Sequence, residues 1–192
     1  MLKNLNKQES IFWREQMCFY KKAAVFAVKK IDKYNKSLEE PIIEHIKYRI
    51  KTEKSIEGKL TKRGMIISIE NALDLKDIAG IRLVCLFESD IYNIVKAIKN
   101  VLAFDVVLEK DYVKNPKKSG YRGYHILINV NIKGKIIPVE IQIRSLSMDF
   151  WACIEHKLVY KPNFKKRKKI QKSLEKASEQ ISQIEKTLYE SG

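Results

Sequence analysis

Two acidic residues in the middle of the chain can be placed to hold a metal ion together. Asp77 comes just before the apolar run 81–87, IRLVCLF, and Glu140 lies in the segment 135–144. Both segments are typical of strands, and Gly80 permits a close backbone approach beside the first of them. If the strands are neighbours, the carboxylates can converge on one Mg²⁺, which binds one or two protein carboxylates and takes phosphate and water as its other ligands. The spacing of the two residues in the sequence does not show whether the strands are neighbours, so this pairing is a hypothesis.

Side chains of the segment 135–144 alternate between apolar and polar, as on a strand with two different faces. The apolar face would carry Val139, Ile141 and Ile143, and the polar face Glu140, Gln142 and Arg144. The apolar face is expected to pack on a core. The polar face has two interpretations, an ordinary solvated surface or, with Asp77 nearby, the wall of a site.

A glycine-rich segment, GYRGYH at 120–125, follows closely after Lys117 and Lys118. Lysines meet phosphate as compact point charges, and an aromatic ring on a loop can stack on a nucleobase for about 1–3 kcal/mol. The segment therefore suits nucleotide binding. The alternative is a basic surface loop with a core tyrosine, an interpretation that fits Tyr124.

A third basic segment, RIKTEKSIEGK, occupies residues 49–59. On one continuous helix Arg49, Lys51 and Lys59 cannot share a face. They can converge on one site if the helix breaks within 52–55. Without such a break, the segment is an ordinary solvated helix face.

Hydrophobic periodicity and turn residues predict helices and strands along most of the chain. The predicted helices cover 9–34, 41–60, 90–102, 147–160 and 165–189, and the predicted strands cover 81–87, 104–113, 124–132 and 135–144. Pro41 is expected to open the second helix and Asp90 to cap the third, while Lys133-Gly134 predicts a hairpin between the last two strands. This order predicts a single α/β (α+β) layer fold.

Length and composition exclude several classes of protein. The 192 residues are 45% apolar, which excludes wholesale disorder, and the longest purely apolar run has six residues, at 23–28, far short of the roughly 20 that a membrane-spanning helix needs. No secretory signal is expected at the N-terminus. Three scattered cysteines, Cys18, Cys85 and Cys153, argue against a disulfide framework or zinc site and favour a reducing cytoplasm.

The net charge of +15 is concentrated in the flanks. Residues 1–76 carry a net +7, residues 77–160 a net +3 and residues 161–192 a net +5. The densest cluster is KKRKKIQK at 165–172, with six basic residues in eight. A soluble lysine-rich surface and a polyanionic partner, namely a nucleotide, RNA or an acidic membrane face, are both open interpretations.

Taken together, these segments resemble the synthetase domain of the RelA/SpoT family, and specifically its stand-alone small alarmone synthetases. The matching pieces, in the family's order, are RIKTEKSIEGK, DIAGIRLVCLF, KKSGYRGYH, VEIQIRS and MDFWACIEHKLVYK, which span about residues 45–161. The resemblance implies a nucleotidyltransferase-like domain, with a mixed, about five-stranded sheet flanked by helices. Its catalytic core would cover about 41–161, with terminal helices at about 9–36 and 165–190 forming helical N- and C-terminal extensions.

The resemblance also implies a reaction and a role for each motif residue. Such enzymes transfer the β,γ-pyrophosphate of ATP to the 3′-hydroxyl of GDP or GTP, with GMP a further candidate acceptor, and give AMP and (p)ppGpp. The implied catalytic residues and Mg²⁺ ligands are Asp77 and Glu140, the implied ATP contacts are Arg49, Lys51, Lys59 and Arg82, and the implied guanine-nucleotide contacts are Lys117, Tyr121, His125, Gln142 and Arg144. Arg49 and Arg82 would sandwich adenine, and Tyr121 would stack on guanine.

Two further expectations concern a second catalytic activity and the oligomeric state. None of the three histidines begins a His-Asp pair, so the metal-dependent hydrolase of long family members is expected to be missing. Relatives form homotetramers through terminal helices, and a stripe on the last helix fits either that use or packing within one chain: Ile170, Leu174, Ala177, Ile181, Ile184 and Leu188. Two other functions stay open, an RNA-binding regulator on an inactive scaffold and a transferase of nucleoside monophosphate.

Overall fold

The computed structural model describes residues 5–159 and 167–190, which form a mixed sheet flanked by helices. The helices are α1 (Lys7–Lys36), α2 (Glu53–Lys62), α3 (Ile69–Leu73), α4 (Glu88–Lys96), α5 (Leu146–Val159) and α6 (Arg167–Glu190). The strands are β1 (Ile43–Ile50), β2 (Ala79–Cys85), β3 (Asp105–Asp111), β4 (Tyr124–Ile132) and β5 (Lys135–Ser145). The predicted fold class is confirmed, with helical extensions at both ends.

The sheet has the strand order β1-β2-β5-β4-β3. The central strands β2 and β5 are parallel, and the other three pairs are antiparallel. The predicted hairpin turn at Lys133-Gly134 joins β4 to β5, with both residues at positive φ. Because β2 and β5 are hydrogen-bonded neighbours, the condition for bringing Asp77 close to Glu140 is met.

One face of the sheet packs against α1 and α4 to form the core. Ala23, Ala24 and Ala27 of α1 are fully buried, and such small side chains let the helix backbone approach the strands closely. Buried Asn35 ties the end of α1 to the start of β1, since its amide accepts from the N–H groups of Ile42 and Ile43 and donates to the carbonyl of Ile43. The opposite face of the sheet is polar.

The prediction of one helix over 41–60 is wrong, because its first half is the edge strand β1. A bulge at the start of the β1–β2 pairing puts Ile43 opposite Cys85 and Ile46 opposite Leu83. The extra residue turns a strand spacing of two into a spacing of three, which imitates the period of a helix. The helix begins only after Thr52, whose hydroxyl caps α2. This is the break that allows Arg49, Lys51 and Lys59 to converge on one site.

The other predicted elements are confirmed with small shifts at their ends. The helix predicted over 90–102 begins at Glu88 and continues from α4 into a π-helical turn, Ala97–Val101. Asp90 does cap this helix, but from its first turn, where its carboxylate accepts from the N–H of Phe87. The predicted final helix starts at 165, and residues 165–166 lie outside the described ranges.

Helix α6 packs on α5 within the chain, and several of its buried side chains are polar. Ser178, Ser182 and Glu185 are buried, whereas Ile184 and Leu188 of the predicted apolar stripe are each 58% exposed. The Trp151 indole donates to the carbonyl of Leu174, which fixes one turn of α6 against α5. In the described part of the chain, no helix has the length and apolar character needed to cross a membrane.

Candidate active site

The polar face of the sheet brings the predicted residues into rows that cross several strands. Arg49 of β1 pairs with Gly80 of β2, which pairs in turn with Glu140 of β5. The next row contains Lys47, Arg82, Gln142, His125 and Lys110, in order from β1 to β3. Because Gly80 has no side chain, the sheet stays open between Arg49 and Glu140.

All eleven predicted site residues line three cavities that share walls on this face. A cavity of about 730 Å³ is lined by Arg49, Lys51, Lys59, Arg82, Tyr121, Gln142 and Arg144. A second, of about 330 Å³, is lined by Lys59, Asp77, Lys117, His125 and Glu140, and a third, of about 300 Å³, by Arg49, Asp77, Arg82, Glu140 and Gln142. The two carboxylates therefore stand where the second and third cavities meet.

Asp77 is held by two lysines from different elements. Lys51, just after β1, and Lys59 of α2 both donate to its Oδ2, the first at 2.6 Å. Burial raises the pKa of Asp77, but the hydrogen bonds and charges of both lysines outweigh it and hold that pKa below its ordinary value. Burial also lowers the pKa of Lys51. Asp77 is thus a carboxylate at neutral pH.

The other oxygen of Asp77, Oδ1, is buried without a hydrogen-bond partner, as is Nε of Arg82. Buried polar atoms nearly always have partners, so such orphans indicate places that a ligand or ion completes. Four such side-chain atoms occur among the described residues, and these two lie in the candidate site. A free carboxylate oxygen next to a second carboxylate suits a hard cation such as Mg²⁺.

Glu140 is positioned by its neighbours on β4 and β5. Its Oε2 accepts from the amide of Gln142 at 2.8 Å, and its Oε1 lies 3.5 Å from Nδ1 of His125. Burial raises the pKa of Glu140, yet His125 and Gln142 outweigh burial and the repulsion from Asp77, so the pKa lies below its ordinary value. The side chain is therefore ionised and able to accept a proton.

A closed hydrogen-bonded network links Glu140 to the glycine-rich loop. From Gln142 it continues to Nη2 of Arg144 at 3.1 Å, from Arg144 to the Tyr121 hydroxyl at 3.1 Å, and from that hydroxyl to Nε2 of His125 at 2.6 Å. His125 completes the circuit at Glu140. Arg144 is only 6% exposed, so it acts as the buried centre of this network.

The loop that carries Tyr121 needs glycine where it passes over Arg144. Gly123 has φ +150, and a Cβ there would lie 3.1 Å from the Tyr121 hydroxyl and 3.3 Å from both Cγ of Arg144 and the carbonyl oxygen of Ile143. Neither the conformation nor the space accepts a side chain. The second glycine of the GYRGYH motif is therefore required because the loop passes close over Arg144 at this position.

Tyr121 reaches the site, but its ring is packed rather than open. The residue is 8% exposed, and its ring meets the rings of Trp151, Tyr112 and His125 edge-on. Burial raises the pKa of its hydroxyl despite the opposing charge of Arg144. Lys117 lies 4.8 Å from the ring centroid. Because Cζ of Arg144 also lies 5.1 Å from the ring centroid, a base that stacks on this ring must displace one of these cations.

Sequence reasoning missed two residues of the site. Lys47 shares a sheet face with Arg49, and the alternation of a strand would have indicated it had β1 been predicted. Asp149 accepts from Arg144 at 2.9 Å and pairs with Arg82 at 3.2 Å. It stands in the recognised motif MDFWACIEHKLVYK, but nothing in the spacing distinguishes it from an ordinary acid in the first turn of a helix.

The family described as "Region found in RelA / SpoT proteins" matches residues 48–165, which include all the motif residues of the site. The chain belongs to the RelA/SpoT family. Two curated RelA/SpoT relatives come from Bacillus subtilis (strain 168). GTP pyrophosphokinase YwaC is 37% identical over 180 residues, covering 87% of this chain and 84% of that protein, and GTP pyrophosphokinase YjbM is 36% identical over 152 residues, covering 77% and 71%.

Solved structures of RelA/SpoT proteins agree with this assignment. Small alarmone synthetase 2 from Bacillus subtilis superposes with a TM-score of 0.82 at 35% identity, over 92% of this chain and 97% of that one. Small alarmone synthetase 1 from the same organism, bound to its product pppGpp, superposes with a TM-score of 0.83 at 31% identity, over 96% of both chains. The resemblance stated from the motifs is confirmed.

Proposed function

We propose that this chain is a Mg²⁺-dependent GTP diphosphokinase that transfers the β,γ-pyrophosphate of ATP to the 3′-hydroxyl of GDP or GTP. The products are AMP and (p)ppGpp, and GMP is a further candidate acceptor. The observation that carries the proposal is the pair of ionised carboxylates, Asp77 and Glu140, at the junction of cavities lined with lysine and arginine. The names of the curated relatives support the same reaction.

The cationic residues divide between the two nucleotides. Lys51 and Lys59 stand where they can exchange part of their contact with Asp77 for the phosphates of ATP. Arg49 and Arg82, on neighbouring strands, suit the adenine, because a guanidinium plane stacks on a purine while it keeps its charge. Lys117, Tyr121, His125, Gln142 and Arg144 are assigned to the guanine nucleotide, directly or by shaping its pocket.

In the reaction, the 3′-oxygen of the acceptor forms a bond to the β-phosphorus of ATP while the bond from that phosphorus to the bridging oxygen of the α-phosphate breaks. Glu140 accepts the proton of the hydroxyl. Phosphoryl chemistry of this kind depends mostly on positioning and on neutralising charge, which this site supplies with its cations.

The carboxylates of Asp77 and Glu140 would hold the Mg²⁺. When bound, Mg²⁺ neutralises phosphate charge and makes the attacking hydroxyl a better acid. This assistance matters because the low pKa of Glu140 makes it a weak base. The orphaned Oδ1 of Asp77 supports this assignment.

Turnover of ATP labelled at the γ-phosphate tests the proposal, with GMP, GDP and GTP supplied separately. Label is expected on a guanine nucleotide with equimolar AMP, and Glu140→Gln is expected to retain less than about 1% of the rate, because an amide cannot accept the proton. Exposed Glu44, at the far end of β1, provides the control Glu44→Gln, which should keep full activity.

Other results would lead to different conclusions. Transfer of adenylate in place of pyrophosphate would identify a nucleotidyltransferase. No transfer from folded wild type with Mg²⁺ would favour the second candidate, single-stranded RNA binding with a steep salt dependence, which rests on the basic flanks. Residues 165–166 of the cluster at 165–172 lie outside the described residues.

We also propose that the chain is one synthetase domain without the hydrolase and that it acts in the cytoplasm in the stringent response. The three cysteines are free, as expected in a reducing compartment. A homotetramer is favoured, since two separate apolar patches are exposed. One comprises Ile11, Phe12 and Phe26 on α1, and the other Ile184 and Leu188 on α6. A tetramer with three two-fold axes can use two different interfaces.

Removing one patch at a time should therefore leave dimers. By light scattering, wild type is expected at four times the chain mass, and the double variants Ile184→Glu/Leu188→Glu and Phe12→Glu/Phe26→Glu at twice that mass. Ile66, which is 79% exposed in the loop before α3, serves as the matched control, and Ile66→Glu should stay tetrameric. A tetramer in both double variants would rule out these interfaces.

A further inference from the structure

One carboxylate oxygen connects the two arginines assigned to different nucleotides. Oδ1 of Asp149, in the first turn of α5, lies 2.9 Å from Nη1 of Arg144 and 3.2 Å from Nη1 of Arg82. Arg82 comes from β2 and Arg144 from β5, so the oxygen bridges the two central strands. A shared acceptor means that a shift of one guanidinium changes the hydrogen bond available to the other.

Asp149 is also the anion that balances Arg144. The other acceptors of Arg144 are neutral, namely the Tyr121 hydroxyl and the side-chain oxygen of Gln142. Within the described ranges, Asp149 is the one carboxylate that forms an ion pair with Arg144, and likewise with Arg82. A buried guanidinium needs such a partner, because it does not lose its proton.

We propose, on the basis of the function proposed above, that Asp149 is a positioning residue that couples ATP binding to acceptor binding. Adenine that stacks on Arg82 fixes this guanidinium, and through Oδ1 of Asp149 it fixes Arg144. Arg144 in turn holds the Tyr121 hydroxyl and Gln142, which lie on the acceptor side and beside Glu140. Each nucleotide thereby orders the other's site before any bond changes.

The coupling has a defined measure, the factor by which one nucleotide tightens the binding of the other. This factor is the same in both directions by thermodynamic linkage and typically lies between about 5 and 150. It can be measured at equilibrium by calorimetry, with α,β-methylene-ATP as the donor analogue and GDP as the acceptor, so that no turnover is required.

Asp149→Asn tests the proposal, because the amide preserves shape but removes the charge. In wild type each ligand is expected to tighten the other by about fivefold or more, and in Asp149→Asn by less than about twofold. The matched control is Asp90→Asn, another acid in the first turn of a helix, whose amide oxygen can still cap α4. It should retain the wild-type factor. Asp149→Glu, with its charge intact, should recover part of the coupling.

The outcomes separate this inference from the proposed function. Wild type that binds neither nucleotide contradicts the function itself, and with it this inference. Wild type that binds both without coupling, or Asp149→Asn that keeps the full factor, overturns the inference alone. Thermal unfolding of each variant identifies a merely structural role, in which Asp149→Asn would lower the melting temperature but leave the coupling factor unchanged.

Discussion

Asp77→Asn is expected to abolish turnover without weakening the binding of ATP. The asparagine loses a charged oxygen for the metal, and we expect kcat to fall by about a thousandfold, equivalent to roughly 4 kcal/mol of transition-state stabilisation. At the same time Lys51 and Lys59 lose their anionic partner and become more available to phosphate. The dissociation constant of α,β-methylene-ATP measured without Mg²⁺ should therefore equal the wild-type value or fall below it.

An exposed ion pair of similar length gives the control for this experiment. Asp32 and Lys36 of α1 are joined at 2.7 Å, far from the site, and exposed pairs of this kind contribute only about 0–1 kcal/mol. Asp32→Asn should change neither kcat nor affinity. A kcat for Asp77→Asn within tenfold of wild type would remove Asp77 from the reaction, and weaker binding of the analogue would mean that the lysines need the carboxylate to hold their places.

Gly123→Ala is expected to disable the acceptor side of the site. The left-handed conformation alone costs on the order of 1–3 kcal/mol for a residue with a side chain, and the added methyl group would press on the Tyr121 hydroxyl and on the backbone of Ile143. The loop must then move off Arg144, which breaks the closed network. We expect kcat/KM for GDP to fall by a hundredfold or more, while the affinity for the ATP analogue changes by less than threefold.

The variant Gly134→Ala is the control that distinguishes the effect of backbone strain from the effect of damage to the network. It too has a positive φ, +83, but a Cβ there meets nothing within 4 Å. Gly134→Ala should lower the free energy of unfolding by about 1–2 kcal/mol and leave kcat/KM unchanged. If both glycine variants lost activity equally, the crossing over Arg144 would have no special role.

The pairing of Asp77 with Glu140 depended on β2 and β5 being neighbours, a long-range fact that strand patterns do not contain, and the family resemblance supplied it. The helix predicted across β1 failed because a single bulge changed the apparent period of Ile43 and Ile46. Local periodicity cannot reveal a bulge, since only the partner strand defines it.

The role of Asp149 could not be predicted from the sequence, because it depends on tertiary contacts. Its two arginines lie five residues and about one third of the chain away in sequence, and only the assembled sheet brings them to one oxygen. Tyr121 is similar, because its motif indicated a nucleotide contact, while its burial against Trp151 follows from the placement of α5 and α6. Residue types can indicate chemistry, but which groups share an atom is decided by tertiary packing.

The network around Arg144 also limits where its protons can lie. Arg144 can only donate, so the Tyr121 hydroxyl and the side-chain oxygen of Gln142 both accept from it. Because the side-chain oxygen of Gln142 faces Arg144, its amide nitrogen donates to Glu140. The arm of the network through Gln142 therefore runs in one sense, from Arg144 to the carboxylate of Glu140. Hydrogen bonds that run in one sense strengthen one another, so the orientation of the Gln142 amide is fixed by the two charged groups on either side of it.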